Sequence, residues 1–309
     1  MRKPLVSIAL PVFNAASLLE LSVRSLLNQT WQNWELFILD DGSTDGAVGR
    51  LTCLADPRII VLQDGLNRGL SSRLNQALSL ARGNYFARMD HDDICHPMRL
   101  ARQVNFLDAH PEVDLLATQC VTIDANDRLL GFLPLAVNHS EICARPWQGF
   151  FMPHPTWMGR IEWFRRYLYL EPAPYCCEDQ ELLLRTYKSS CFSVLPESLL
   201  AYRKRHHTPL SKLWRTRLSL CAEQIRHFSN SRDSFFVFMC ILATVARVCF
   251  DGLFEFIYRM KLSGLNSLPS PLSSDEISVW DALIHDLERS QCEDVASRLT
   301  TREQGHNQI

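Results

Sequence analysis

The stretch "NYFARMDHDDICHP", residues 84–97, runs from a short apolar segment straight into three aspartates within four positions, Asp90, Asp92 and Asp93. Carboxylates packed this closely repel one another, and such a cluster is best held by a cation or by a ligand that brings one. Aspartate also favours ordinary turns, so the cluster alone does not choose between a metal loop and a bend. Its surroundings do. Upstream, "LVSIALPVF" (5–13) and "WELFILDD" (34–41) are continuous β-rich runs of the kind covered on both faces, and "RIIVLQD" (58–64) is a shorter one. Between them Leu18, Leu19, Val23, Leu26 and Leu27 recur at helical spacing. "LSSRLNQALSLARG" (70–83) does the same with Leu70, Leu74, Ala77, Leu78 and Ala81, and its Gly83 suits a C-cap.

Strands alternating with helices predict an α/β fold, a mostly parallel sheet wound on both sides. In such sheets ligands bind outside the carboxyl ends of the strands. Pro11, Phe13 and Asn14 follow the first strand, Asp40 and Asp41 end the second, and the 90–93 cluster ends the strand at 84–90. Three polar clusters distant in sequence are thus expected on one edge, which favours a site over a turn.

The charge and composition exclude some functions. A net charge of −2 with 21% charged and 47% hydrophobic residues describes an ordinary globular chain with a sizeable core, and nothing in it suggests a nucleic-acid partner. Eleven scattered cysteines without CxxC spacing read as thiols in a reducing compartment. "MRKPLVSIALPVFNA" (1–15) imitates a signal peptide, but Pro11 and Asn14 break it; a first strand and cytoplasmic residence are expected.

Beyond residue 110 the pattern is less regular. "YCCEDQELLLR" (175–185) sets Glu178 and Asp179 before a helical run, where acids suit a helix N-terminus. Between Glu197 and Glu223 there is no acid, while Arg203, Lys204, Arg205, Lys212, Arg215 and Arg217 accumulate with His206 and His207. "FFVFMCILATVARVCFDGLFEFIY" (235–258) is the most apolar stretch, with Arg247, Asp251 and Glu255 at every fourth position. That polar stripe fits either a helix packed on the rest of the protein or one lying in a membrane surface beside the basic segment. "SGLNSLPSPLSSDE" (263–276) reads as a linker, "ISVWDALIHDLER" (277–289) as a short amphipathic helix, and the last dozen residues as disordered. The expected organisation is a catalytic domain over 1–210, a helical and potentially membrane-associating extension over 211–262, and a linker, short helix and tail over 263–309.

"VSIALPVFN", "QTWQNWELFILDDGSTDG", "NRGLSSRLNQALSLARGNYFARMDHDD", "HPTWMGR" and "EDQELLLR" stand in the order and approximate spacing of family 2 glycosyltransferases, which this chain resembles over about residues 1–210. The resemblance implies an inverting, nucleotide-sugar-dependent enzyme of the GT-A fold. It implies that Pro11, Phe13, Asn14 and Asp41 line the base and ribose pocket. Asp90 and Asp92 match the DxD motif, with Asp92 ligating Mn²⁺ or Mg²⁺ and Asp90 reaching the ribose or the metal shell. Asp179 matches the catalytic base, and His154, Trp157, Glu178 and Arg203 fall where donor or acceptor is bound. Relatives carry a "YRxHxxxS"-like segment; here "YRKRHHTPLS" (202–211) keeps HxxxS through His207 but holds two extra residues, and His207 is favoured over His206 as the metal-side histidine.

The chemistry agrees. Cleaving a sugar–phosphate bond leaves a nucleoside diphosphate with new negative charge, which a hard cation on carboxylate oxygens stabilises. One positioned carboxylate suffices to take the acceptor proton in a single displacement. The expected substrates are a nucleotide sugar, with UDP-sugars favoured, and a hydroxyl on a growing envelope polysaccharide, a lipopolysaccharide or another lipid-linked acceptor. The expected place is the cytosol or the cytosolic face of the inner membrane, with peripheral contact through 203–258. The alternative is a catalytically silent relative that binds nucleotide or glycan. A nucleotidyltransferase is disfavoured because "PVFNAAS" (11–17) lacks the glycine and lysine of a phosphate loop, and a phosphatase because Ile94 stands where Thr or Val belongs.

Overall fold

The computed structural model describes residues 3–51, 55–204, 208–231, 233–259 and 272–306. Its first half follows the expected rhythm: β1 (Val6–Val12), α1 (Leu18–Leu27), β2 (Trp34–Asp40), a single turn α2 (Ala47–Arg50), β3 (Ile59–Gln63), α3 (Leu70–Leu80) and β4 (Tyr85–Arg88). These four strands are mutually parallel in the order β3-β2-β1-β4. Strand periodicity explains the all-apolar runs. Ile8, Leu10, Leu36 and Ile38 point to one core with Leu19, Val23 and Leu26 of α1. The intervening Ala9, Phe37 and Leu39 point to another with Leu74, Ala77 and Leu78 of α3.

The second half extends the sheet with mixed pairing. β5 (Ile94–Cys95), α4 (Arg99–Ala109), β6 (Leu115–Ile123), β7 (Leu129–Phe132), the turn α5 (His139–Ile142), β8 (Met158–Arg160), α6 (Ile161–Arg166), α7 (Glu178–Thr186) and β9 (Phe192–Arg203) follow. Beyond β4 the order continues β8-β6-β9-β5, with β7 on β6. β6 and β9 are parallel, whereas β8 runs antiparallel to both β4 and β6. The segment 158–160 therefore closes the sheet directly beside β4.

Gly83 is not a C-cap. The cap of α3 is Ala81 in an extended conformation. Glycine is needed because the backbone there lies against β1: a Cβ would come within 2.7 Å of Ser7 Oγ and 2.8 Å of Leu5 O.

α8 (Leu210–Asn230) and α9 (Ser234–Arg259) pack as a pair, and α8 sends Phe228 into the same core as α7 and Trp163. The extension is joined to the catalytic fold through this shared core. The C-terminal segment also departs from expectation. α10 runs from Ser274 to His306, where a short helix and a disordered tail were expected; no proline or glycine interrupts it before Gly305. Its Trp280, Ile284 and Leu287 pack on Leu21, Ile94, Val121, Ile123 and Ala201, which draws the start of the helix onto α1, β5, β6 and β9.

Candidate active site

The loops after β1 and β2 are bound to each other. Asn14, at φ +50°, donates its N–H to Ser43 Oγ (3.0 Å) and accepts from Thr44 N (2.9 Å). Asp41 receives N–H groups from Arg68 (2.7 Å) and Gly69 (3.1 Å) at the start of α3, and Arg73 Nε at 3.0 Å. Arg73 is buried and also grips Asp64, whose carboxyl it holds well below the usual range. Asp41 thus fixes α3 against the sheet edge. Pro11 is buried in β1 and its carbonyl meets His91 Nδ1 at 3.3 Å, whereas Phe13 is half exposed.

The DHDD loop is built from its interior. Ser22 of α1 donates to the carbonyls of His91 (2.9 Å) and Asp93 (2.6 Å). Asp93 is fully buried, accepts Arg203 N at 2.9 Å, and is pushed well above the ordinary carboxyl range by burial and then by the charges of Asp90 and Asp92. It anchors the loop and leaves Asp90 and Asp92 at the surface of the cleft.

Arg203 has a structural role as well as a place in the cleft wall. Its guanidinium donates to Asp92 O (2.9 Å), Asp124 O (2.9 Å) and the Asp127 carboxylate. Those bonds staple the loop, and Arg203 also lines the cleft that holds Asp90 and Asp92.

Two adjoining clefts share Arg88, Asp90 and Tyr202. The larger, about 490 Å³, is also lined by His91, Asp92, Arg203, Lys204, Thr208 and Lys212. The other, about 340 Å³, is lined by Met152, Pro153, His154, Pro155, Glu178 and Asp179. His154 sits in a 3-10 turn (His154–Thr156), accepts from or donates to Tyr169 OH at 2.8 Å, and faces Glu178 Oε1 at 3.9 Å. Burial, followed by the Arg88 charge, holds it neutral, well below its usual pKa.

Trp157 corrects an expectation. It is fully buried, its indole N–H is satisfied by Met152 O (3.2 Å), and it backs the His154 ring at 4.4 Å without lining the cleft.

Glu178 and Asp179 lie in the first turn of α7, where acids suit a helix N-terminus, although no side chain caps the helix at Cys177. Burial and the neighbouring Asp179 charge push Glu178 up to about 7. Asp179 is likewise raised by burial, and its Oδ2 accepts Gln180 Nε2 (3.3 Å). Gln180 is itself fixed by Phe150 N and O (2.8 and 3.1 Å). Among the described residues, one trio of His and acid side chains brings ligand atoms within 4.8 Å of one another: His154, Glu178 and Asp179. His207 and His206 lie outside the described residues.

Sequence reasoning missed Arg88 and Tyr169, and it gave Asp93 and Tyr202 no role of their own. Arg88 is buried, donates Nη2 to Asp90 at 2.5 Å, and among the described residues its Nε and Nη1 find no partner. Its signal was a cation inside an otherwise apolar strand, two positions before Asp90. Tyr169 carried no local signal, whereas Tyr202 opens the quoted 202–211 segment.

The model of the family described as "Glycosyl transferase family 2" matches residues 7–168. The chain belongs to this family. Among curated family relatives, an uncharacterized glycosyltransferase of Haemophilus influenzae is 28% identical over 214 residues, 65% of each chain. The EpsE protein of Bacillus subtilis is 38% identical over 124 residues, 39% of this chain and 45% of its own. The match therefore spans about half to two thirds of the length of these relatives. A third, the Escherichia coli UDP-Glc:alpha-D-GlcNAc-diphosphoundecaprenol beta-1,3-glucosyltransferase WfgD, is 36% identical over 103 residues, 33% of this chain and 41% of its own. Two solved structures share the GT-A fold. Staphylococcus aureus TarS in complex with UDP-GlcNAc has a TM-score of 0.56 at 20% identity, over 71% of this chain and 66% of that one. The mannosyltransferase PcManGT of Pyrobaculum calidifontis, in complex with GDP-Man and Mn²⁺, has a TM-score of 0.52 at 15% identity, over 96% and 88%.

Proposed function

We propose that the protein transfers a sugar from a nucleotide-diphosphate donor, a UDP-sugar by preference, to a hydroxyl of an envelope glycan or lipid-linked acceptor, with inversion. The observation that carries this is the adjacency of two different acid pairs. Asp90 and Asp92 line one cleft, Glu178 and Asp179 the next, and Arg88, Asp90 and Tyr202 belong to both. A donor diphosphate beside the first pair brings its anomeric carbon toward the second. The UDP-dependent name of WfgD and the UDP-GlcNAc complex of TarS support the donor class, and WfgD supports a lipid-linked acceptor.

The oxygen donors of Asp90 and Asp92 fit Mn²⁺ or Mg²⁺, which take carboxylates together with substrate phosphates. Bound there, such an ion would offset the charge that develops on the departing diphosphate. Asp179 is the general base. It is oriented through Gln180, and its raised pKa gives it a stronger hold on the acceptor proton than a solvated aspartate has. Glu178, pushed up to about 7 by burial and the Asp179 charge, can in its protonated form donate a hydrogen bond to a ligand oxygen. Lys204 and Lys212 add positive charge at the diphosphate end.

Thermal shift with UDP, GDP, dTDP and CMP, each with and without Mn²⁺, tests the reading. A ligand at a hundredfold excess over its Kd adds about 2.7 kcal/mol to the native state. The expected result is a shift for one nucleotide that requires metal and vanishes in Asp92→Asn. A metal-independent shift of equal size in Asp92→Asn removes the metal from the DxD pair. A nucleotide shift without any transfer to added acceptor supports the silent relative.

A further inference from the structure

The polar stripe of α9 turns inward. Arg217 of α8 pairs with Asp251, Nη2 to Oδ1 at 2.8 Å, and Arg247 donates to Gln148 O at 2.7 Å. Cys240 is buried on the same side. At 100° per residue these positions share one side of the helix, and the opposite arc carries Phe235, Phe238, Ile241, Leu242, Val245, Phe250 and Leu253. All seven are exposed, from 44% to 65%. Over Ser234–Leu253 the mean hydropathy is 1.9 while only 11% is buried. Scattered exposed leucines need no explanation, but a continuous apolar face of this extent marks an interaction surface.

The flank of that face is basic and aromatic. On α8, Trp214 and Leu218 are exposed on the side toward α9, with the Trp214 ring 3.6 Å from where a Gly252 Cβ would stand. α8 holds Lys212, Arg215, Arg217 and Arg226 against a single acid, Glu223. Exposed Lys204 and Lys212 continue the positive charge into the cleft that also holds Asp90 and Asp92. An apolar helix face bordered by tryptophan and cations matches the interface of an anionic bilayer.

We propose that the outer face of α9, with Trp214 and Leu218 of α8, docks the protein on an anionic lipid surface, with α9 lying in the plane of the interface. The inward Arg217–Asp251 and Arg247–Gln148 contacts hold the helix against the protein and oppose its crossing the bilayer. The surface rests on the lipid-linked-acceptor reading only for its purpose. It brings a membrane to the start of α8, whose Lys212 lines the cleft, so that an acceptor carried on lipid reaches the acids without leaving the membrane.

The test is co-sedimentation of the full chain with vesicles of equimolar phosphatidylglycerol and phosphatidylcholine, against phosphatidylcholine alone, for wild type, Phe238→Glu/Leu242→Glu and Arg247→Leu. Both residues of the double variant are more than half exposed, so its melting point is expected to match wild type. The expected result is binding to the anionic vesicles that falls at least tenfold in the double variant, is weaker on phosphatidylcholine, and is released by alkaline carbonate. Arg247→Leu, whose wild-type side chain faces Gln148, is expected to leave it unstrengthened. Equal sedimentation of wild type and double variant overturns the surface, as does a failure of wild type to bind. Retention through carbonate overturns the in-plane orientation. A gel-filtration dimer that the double variant dissolves assigns the face to a second copy of the chain and also overturns the proposal. UDP binding on the same preparations separates the outcomes: lost lipid binding with UDP binding intact concerns this surface alone, and the reverse concerns the catalytic reading.

Discussion

Replacing Glu178 by glutamine should make the protein more stable, and more so as the pH rises. The carboxyl lies in the cleft wall with 15% of its side chain exposed, 3.9 Å from a neutral His154 and next in sequence to Asp179. Burial first, and the Asp179 charge second, raise it from 4.5 to about 7. Between these values the native state holds a proton that the unfolded chain has released. Stability linked to this group is therefore fully present below pH 4.5 and is lost as the pH rises through 7. At about 1.4 kcal/mol for each tenfold change in proton affinity, the loss is about 3 kcal/mol. Glutamine keeps the shape of the neutral acid and cannot ionise. At pH 8 the variant should exceed wild type by about 3 kcal/mol, or about 6–12 °C in melting temperature at roughly 2–4 °C per kcal/mol. At pH 5 the same linkage leaves under about 1 kcal/mol. Differential scanning fluorimetry in EDTA, without nucleotide, reads both points. An equal gain at pH 5 and pH 8, or no gain at pH 8, would refute the account of why Glu178 is raised.

Asp179→Asn should lower kcat by about 10²–10⁴ while leaving calorimetric UDP affinity within a few-fold of wild type; loss of affinity together with turnover would give the residue a binding role instead. Arg203→Met should weaken Mn²⁺-dependent UDP binding although its guanidinium is spent on Asp92 O, Asp124 O and Asp127, and Asp127→Asn, outside the cleft lining, should do the same to a smaller degree; unchanged affinity in both would show that the loop holds without its staple. Gly83→Ala should destabilise by about 1–3 kcal/mol in thermal melts, because the new Cβ meets β1 backbone that cannot give way.

The first four strands were legible because burial on both faces leaves a continuous apolar run, and the carboxyl-end rule then located the acids without coordinates. The same kind of reading could not orient single side chains in the 150–160 segment. His154 and Trp157 are three residues apart in one turn, yet one lines the cleft and the other closes the core behind it. Only the placement of β8 between β4 and β6 decides which, and three residues of strand carry no periodicity. The stripe on α9 failed in a related way. Spacing shows that Arg247 and Asp251 share a face, but whether that face meets water or protein depends on Arg217, thirty residues earlier and on another helix. Gly83 was misassigned because a glycine after a helix has two explanations, positive φ or close approach, which only the neighbouring strand distinguishes.

The site is assembled in a state that its own residues do not satisfy. One buried guanidinium, Arg88, stands among Asp90, Asp93 and Glu178, yet it bonds only Asp90 directly, and among the described residues its Nε and Nη1 have no partner. Asp93 Oδ2 is likewise buried without one. Buried orphan donors are costly, and a core selected for stability alone would replace them with apolar groups. Arg88 cannot be replaced in this way while the acids remain, because its charge is what opposes their mutual repulsion and lowers Asp179 toward ionisation. The raised acids and the half-satisfied cation are therefore one arrangement: the Arg88 charge draws Asp179 toward ionisation, and burial raises its proton affinity. A cation brought to Asp90 would compete with Arg88 for that carboxylate, while the phosphate oxygens of the same ligand would accept the Arg88 donors that have no partner. Nucleotide with metal should accordingly stabilise the fold in thermal melts, and Arg88→Met should diminish that shift even though no proposed metal ligand is changed; an undiminished shift would show that the Arg88 donors do not meet the ligand.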